Sequence, residues 1–263
     1  MAPRPAKRPD DPMPAPTVTS TVTPILALEK ISKRFGAIVI AEAIDLNLGE
    51  GEALGIIGPN GAGKTTLFGI ISGTLAPDAG RVLYAGNDIT GMPPARRCGI
   101  GIGRSFQIPL PFGGMSVFEN LVVAAAFGGS RRERDAYERC MQILDRCGLA
   151  DKANRPAGSL TLLDRKRLEL ARALATDPRV LLLDEVAGGL TERECSALIE
   201  LIHEIRRGGV SIIWIEHVVH ALVASIDRLL VLHNGGFIAA GDPATVLRSP
   251  EVSEIYLGIE ADA

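Results

Sequence analysis

The 263-residue sequence predicts an α/β fold built on a mainly parallel sheet, and three observations carry that expectation. The run Gly58-Pro59-Asn60-Gly61-Ala62-Gly63-Lys64-Thr65, followed by Thr66, fits G-x-x-x-x-G-K-[ST] with an apolar run before it and a helical repeat behind it. A second apolar run, Val180-Leu181-Leu182-Leu183, ends in Asp184-Glu185, the pattern of a strand buried on both faces. Helical and strand patterns then alternate to about residue 232, as a parallel sheet with crossover helices requires.

Taken in order, residues 1–22 read as a solvated tail. Their prolines, mixed charges and Thr/Ser cluster offer too little apolar surface to offset chain entropy. A folded domain is expected over 23–258, with 259–263 as a short end. Ile25-Leu26-Ala27-Leu28 reads as its first strand, and Ile44-Asp45-Leu46-Asn47-Leu48 alternates cleanly enough for a second. Ala53-Leu54-Gly55-Ile56-Ile57 is a short buried strand, and Leu67, Phe68, Ile70 and Ile71 repeat at helical spacing after the glycine-rich loop. From Arg81 to Ser105 the chain offers short strand pieces, such as Arg81-Val82-Leu83-Tyr84, and turns, such as Gly91-Met92-Pro93-Pro94. Gly99-Ile100-Gly101-Ile102-Gly103 lacks the third glycine of a dinucleotide fingerprint and the strand-to-helix context, so that reading is rejected.

A helical lobe, inserted over about 107–175, is expected next. Ser116-Val117-Phe118-Glu119 is a capping box opening one helix, with Leu121 and Val122 on its apolar face. A further helix spans about Arg132 to Cys147, with Tyr137, Cys140, Met141, Leu144 and Cys147 at helical spacing and Gly148 placed to end it.

Composition narrows the function. Hydrophobic residues are 46% and charged residues 22%, ordinary for a soluble globular protein with a proper core. Lys plus Arg is 28 against 31 Asp plus Glu, and a net charge of −3 gives no electrostatic case for nucleic acid. Cys98, Cys140, Cys147 and Cys195 show neither C-x-x-C nor zinc spacing; Cys140 and Cys147, seven apart on one helix face, are expected as buried free thiols, which suits a reducing cytosol. No apolar run reaches the length of a membrane span, and no signal-peptide core is visible, which suits a soluble chain able to sit against a membrane protein.

The motifs carry phosphate chemistry. Glycines let the loop curl so that backbone N–H groups surround phosphate oxygens, and the helix opening at Lys64 adds its dipole. Lys64 would reach the β- and γ-phosphates of a nucleoside triphosphate, and the Thr65 hydroxyl would sit on Mg²⁺. Asp184 and Glu185 lie at the C-terminal end of their strand, where ligands of open α/β sheets bind. There Asp184 would hold Mg²⁺ and Glu185 would act as general base toward the attacking water. His217 follows a strand over Val210 to Ile215 and could contact the γ-phosphate and orient that water. A surface histidine and a metal pair with His220 stay open as alternatives, while Trp214 is expected in the core.

These residues resemble the ATP-binding subunits of ABC transporters over about 25–258. The resemblance implies a P-loop NTPase core with a mainly parallel sheet, an N-terminal antiparallel β part and an inserted helical subdomain. It implies ATP and Mg²⁺ as cofactors. It places Phe35 on the adenine, residues Gly58, Pro59, Asn60, Gly61, Ala62, Gly63, Lys64, Thr65 and Thr66 with Asp184 around the phosphates, and Thr65, Gln107 and Asp184 at the metal. Glu185, His217 and Gln107 become the catalytic set, and Ala187-Gly188-Gly189-Leu190 the D-loop.

One motif departs from the family. Leu160-Thr161-Leu162-Leu163-Asp164 stands where Leu-Ser-Gly-Gly-Gln is usual, ahead of a closely matching helix that begins Arg165-Lys166-Arg167. Leucines there would crowd a phosphate on the opposite subunit and a carboxylate would repel it, while Thr161 and Asp164 could form a capping box of their own helix. Asp88 to Pro94, Gln107 to Ala126 and the ending Val252-Ser253-Glu254-Ile255-Tyr256-Leu257-Gly258 look like the subgroup importing branched-chain and other hydrophobic amino acids. The resemblance implies a peripheral position on the cytoplasmic face of the cell membrane. The partners it implies are a second ATPase subunit (a heterodimer from the altered motif, or a homodimer), membrane permeases and an extracytoplasmic solute-binding protein. A soluble ABC-type ATPase or nucleotide-binding regulatory module is the alternative.

Overall fold

Two sheets follow from two kinds of strand sequence. The computed structural model describes residues 23–128, 133–217 and 219–254, so the tail at 1–22, Arg132, and the chain from Ile255 through 259–263 lie outside the described residues. Strands β1 (Leu26–Phe35), β2 (Ile38–Leu48), β4 (Ala79–Tyr84) and β5 (Asn87–Asp88) form an antiparallel sheet in the order β2-β1-β4-β5. β1 and β2 run several residues longer than their alternation predicts. Their register slips between Leu28 and Ile31 and again before Lys33, and Lys30 and Ala43 take left-handed backbone angles at those slips. A bulge puts two residues opposite one, so the period-2 signal breaks although pairing continues.

The second sheet holds β3 (Ala53–Ile57), β6 (Ile102–Arg104), β7 (Val180–Asp184), β8 (Ser211–Ile215), β9 (Arg228–His233) and β10 (Gly236–Gly241). Its order is β10-β9-β3-β8-β7-β6, parallel throughout except for β10. Every residue of β3, β7 and β8 is buried, as continuous apolar runs covered on both faces should be. Trp214 lies in this core. Because Asp184 pairs with Ile215 and Ile56 with the same residue, the C-terminal ends of these strands finish on one edge. All the phosphate-chemistry motifs leave from that edge.

Helix α1 (Lys64–Ser72) follows β3 and buries Leu67, Phe68, Ile70 and Ile71. The Gly91–Pro94 turn leads directly into a helix the sequence did not announce, α2 (Pro94–Gly99), whose proline at the first position suits a helix start. Its Arg97 is almost wholly buried and donates to five carbonyls: Ile70 and Ile71 at the end of α1, then Ile89, Thr90 and Met92. A guanidinium carries five N–H donors, enough to reach that many carbonyls at once.

Between β6 and β7 the chain forms α3 (Val117–Phe127), α4 (Glu133–Arg146) and α5 (Leu162–Ala175), with short 3-10 turns at Ala150–Lys152 and Ala157–Ser159. The capping box at Ser116 is formed in both directions, Glu119 N–H to Ser116 Oγ at 3.1 Å and Ser116 N–H to Glu119 Oε2 at 2.7 Å. On α4 the buried face is Ala136, Cys140, Ile143 and Leu144, continuing to Cys147, whose thiol is pushed up to about 12 by burial. Tyr137 and Met141, expected on that face, sit one position aside and are exposed, Tyr137 meeting Phe118 edge-on at 5.5 Å. Helices α6 (Glu192–Arg207), α7 (Val219–Val223) and α8 (Pro243–Leu247) follow, and residues 250–254 are helical again. No described helix is long and apolar enough to cross a membrane.

Candidate nucleotide site

The glycine-rich loop is shaped by what presses on it. Gly63 has φ +102°, and a Cβ there would stand 2.7 Å from Ile40 Cγ2 and 2.8 Å from Ile40 O, so β2 leaves no room for a side chain. Gly58 is confined likewise, since a Cβ on it would collide with the Leu232 carbonyl oxygen. The first turn of α1 has no side-chain cap, which leaves its N–H groups for an anion. Lys64 opens that helix and folds back, its Nζ donating to Gly58 O at 2.6 Å and Pro59 O at 3.0 Å. Burial lowers the Lys64 pKa, while nearby Glu185 and Asp184 pull it upward. The loop from Asn60 to Thr66, with Ile40 and Glu185, encloses a hollow of about 240 Å³.

Asp184 and Glu185 differ sharply despite being neighbours. Asp184 is the last residue of β7 and nearly buried, and its Oδ2 accepts from Arg104 Nη2 at 2.9 Å. Burial raises its pKa, and the Arg104 hydrogen bond and charge oppose that rise. Glu185 has left the strand with φ +48°, a left-handed conformation that a non-glycine residue adopts only under constraint. Here Glu185 N–H is fixed to Ile215 O at 2.9 Å, and Lys166 of α5 reaches the Glu185 carbonyl at 3.4 Å. Its carboxylate is shared: Gln107 Nε2 donates to Oε2, and His217 Nε2 lies 2.6 Å from Oε1.

Thr65, Asp184 and Gln107 line one cleft of about 400 Å³ together with Arg104 and Glu169. Hydroxyl, carboxylate and amide oxygens are the hard donors Mg²⁺ takes, so these residues fit that ion. Among the described residues no cluster of His, Cys, Asp and Glu offers a separate metal site, and the side chain of His220 lies outside them.

Further groups hold the site from behind. Buried Glu216 accepts from Ala187 N–H at 2.7 Å and His217 N–H at 3.2 Å, joining the 187–190 loop to the end of β8. At the start of α5, Thr161 Oγ1 accepts from Asp164 N–H at 3.3 Å, but Asp164 does not return the bond. Its buried carboxylate turns inward to Lys152 Nζ, at 3.0 and 2.9 Å, so only half the expected capping box forms. Phe35, at the end of β1, is 48% exposed with Lys33 Nζ 5.5 Å from its ring centre; it belongs to the surface, not the core.

The structure thus brings Lys64, Thr65, Asp184, Glu185, Gln107 and His217 to one edge, with Phe35 on the hairpin that also supplies Ile40. Ile40, Lys166, Glu216 and Arg104 were not expected from the sequence. Arg104 alone left a trace there, a charge closing an apolar strand three residues before Gln107.

Comparison with known proteins agrees with this geometry. The ABC transporter family model matches residues 41–188. The high-affinity branched-chain amino acid transport ATP-binding protein LivG of Escherichia coli K12 is 36% identical over 250 residues, covering 89% of this chain and 98% of that protein. BraF of Pseudomonas aeruginosa, of the same description, is 34% identical over 252 residues, covering 89% and 98%. Among solved structures, the ADP conformation of an ATP-binding cassette of an ABC transporter superposes with a TM-score of 0.83 at 34% identity, covering 90% of this chain and all of that one. With that likeness and this arrangement of residues, the chain belongs to the ABC transporter family, as an ATP-binding cassette whose ATP hydrolysis drives transport.

Proposed function

We propose that the chain is the cytoplasmic, membrane-peripheral ATPase subunit of an importer for branched-chain or other hydrophobic amino acids, or for related amides or urea. The observation that carries the catalytic reading is the Glu185 carboxylate, bonded to both Gln107 and His217 one residue beyond Asp184. The solute class is supported by similarity to LivG and BraF, both high-affinity branched-chain amino acid transport ATP-binding proteins.

In this reading the loop N–H groups and Lys64 Nζ hold the phosphates of ATP, with Lys64 exchanging its Gly58 and Pro59 carbonyls for phosphate oxygens. Thr65, Asp184 and Gln107 would hold Mg²⁺, which when bound neutralises charge on the phosphoryl oxygens. Glu185 takes the proton of the attacking water, and His217 fixes the carboxylate and the water relative to each other. Phe35 stacks on the adenine. ABC cassettes work as dimers within transporter complexes, and we assign this chain a second ATPase subunit in a heterodimer, permeases and an extracytoplasmic solute-binding protein.

A cassette acting without membrane subunits is the competing reading. The residues after Gln107 favour the transporter, because Ile108 and Leu110 are 68% and 76% exposed and Phe112 is also exposed. Apolar side chains gathered on one loop are typical of a surface that a partner covers. Co-purification with permease subunits, then uptake of labelled amino acids, amides and urea by the assembled complex, tests the assignment. Uptake of none of these solutes would overturn the solute class, and ATPase activity with no membrane partner recovered would overturn the transporter reading.

A further inference from the structure

Asp184, the carboxylate assigned above to Mg²⁺, is gripped by a cation of its own chain. Arg104 closes β6, which pairs in register with β7. Its Nη2 donates to Asp184 Oδ2 at 2.9 Å and its Nη1 reaches Ser72 Oγ, at the end of α1, at 3.3 Å. The guanidinium carbon lies 5.7 Å from the ring centre of Phe68 and 5.0 Å from that of Phe106. The side chains of Arg104 and Asp184 are only 12% and 5% exposed. Exposed ion pairs need no such enclosure and contribute little, whereas an enclosed one persists only where its geometry is well supported. Here a helix end and two aromatic rings support the arginine independently of the carboxylate.

We propose that Arg104 is a positioning residue that fixes one oxygen of Asp184 so that the other is presented to the divalent cation. The inference rests on the reading of Asp184 as the group that holds Mg²⁺. Hydrogen-bonded partners of a ligating carboxylate orient it, and their loss typically costs about 10–100-fold in metal affinity. Arginine suits the task better than lysine, because its planar fork bonds the carboxylate through one nitrogen and Ser72 through the other while Phe68 and Phe106 flank it. An arginine that merely filled the cation's place would act in the opposite sense, and its removal would tighten metal binding.

The test is calorimetric binding of ATP to the full chain, with Mg²⁺ and with excess EDTA, for the parent, Arg104→Met, Arg104→Lys and Asp184→Asn. Arg104→Met should leave the affinity in EDTA within about twofold and weaken the Mg²⁺-dependent tightening by about 10–100-fold. Arg104→Lys, which keeps charge but loses the fork, should lose part of that response and carries the comparison if the methionine variant fails to fold. An unchanged or stronger Mg²⁺ response in the Arg104 variants, with Asp184→Asn losing it, overturns the role of Arg104. A full response in Asp184→Asn overturns the metal reading of Asp184 itself.

Discussion

His217 Nε2 lies 2.6 Å from Glu185 Oε1, while the Gln107 amide donates to the other oxygen of the same carboxylate. The two partners come from different strand ends, His217 after β8 and Gln107 after β6, so both loops must be in place to hold the carboxylate in this position. In the proposed mechanism the charge of Glu185, rather than its bulk, matters. Glu185→Gln should bind ATP with parental affinity and lose hydrolysis by about 10²–10⁴-fold, the usual contribution of a general base. Steady-state ATPase rates of the assembled transporter check this, and unchanged turnover would remove Glu185 from the role.

Phe35 gives a binding prediction that burial sharpens. Its ring is about half exposed, so truncation removes little core packing. Phe35→Ala should weaken ATP by about 1–3 kcal/mol, the range for a base stacked on an aromatic ring, while Phe35→Trp retains affinity. If both variants lower Tm and leave Kd alone, the ring is structural.

Acid should loosen the helix starts. The carboxyls of Glu119, Glu194 and Asp242 are held below their ordinary values, chiefly by backbone N–H donors of Ser116, Thr191 and Thr245. A carboxyl lowered in the fold contributes stability above its unfolded pKa and loses it as pH falls through the folded value. Stability measured by urea unfolding should therefore decline as pH drops below about 4, the ordinary carboxyl range. Glu119→Gln should be less stable than the parent at pH 7 and converge with it at low pH. A constant difference across that range would dissociate the cap from its charge.

The parts of the fold visible in the sequence were those with one dominant periodicity. The bounds Ala53–Ile57 and Val180–Asp184 and the helix start at Lys64 coincide with the pattern, because nothing competes with burial there. The full lengths of β1 and β2 do not show in the sequence because bulges interrupt the alternation, and α2 leaves no signal because six residues hold too little periodicity. In the site, motif spacing pointed to Lys64, Asp184, Glu185, Gln107 and His217. Arg104, Lys166 and Glu216 act through contacts with residues distant in the chain, Arg104 meeting Asp184 from 80 positions away, and no local pattern encodes such a pairing.

The last prediction concerns the altered loop at Leu160 to Asp164. The repulsion expected from Asp164 does not arise at the loop face, since its carboxylate is buried against Lys152. Thr161 accepts one N–H from its own helix, which leaves its hydroxyl proton available to donate. The remaining obstacles are Leu162, 46% exposed and standing over Gly189, and the half-buried Leu163. In the proposed pairing, leucine there would keep a phosphate on an opposing subunit from approaching the backbone as glycine would allow. In a heterodimer, the site on this chain's Lys64 would be closed by the partner's loop and turn over faster. The site on the partner's phosphate loop, closed by this chain, would turn over slowly. One missing donor to developing phosphate charge costs about 2.7–4 kcal/mol, enough for a hundredfold difference. Mutating the catalytic glutamate in each subunit separately should abolish most activity in one case and little in the other; equal losses would end the case for asymmetry. Leu162→Gly with Leu163→Gly, leaving the Asp164–Lys152 pair intact, should raise turnover at the slow site, at a stability cost of about 1 kcal/mol per glycine. An unchanged rate in the folded double variant would place the loop's effect in folding rather than in catalysis.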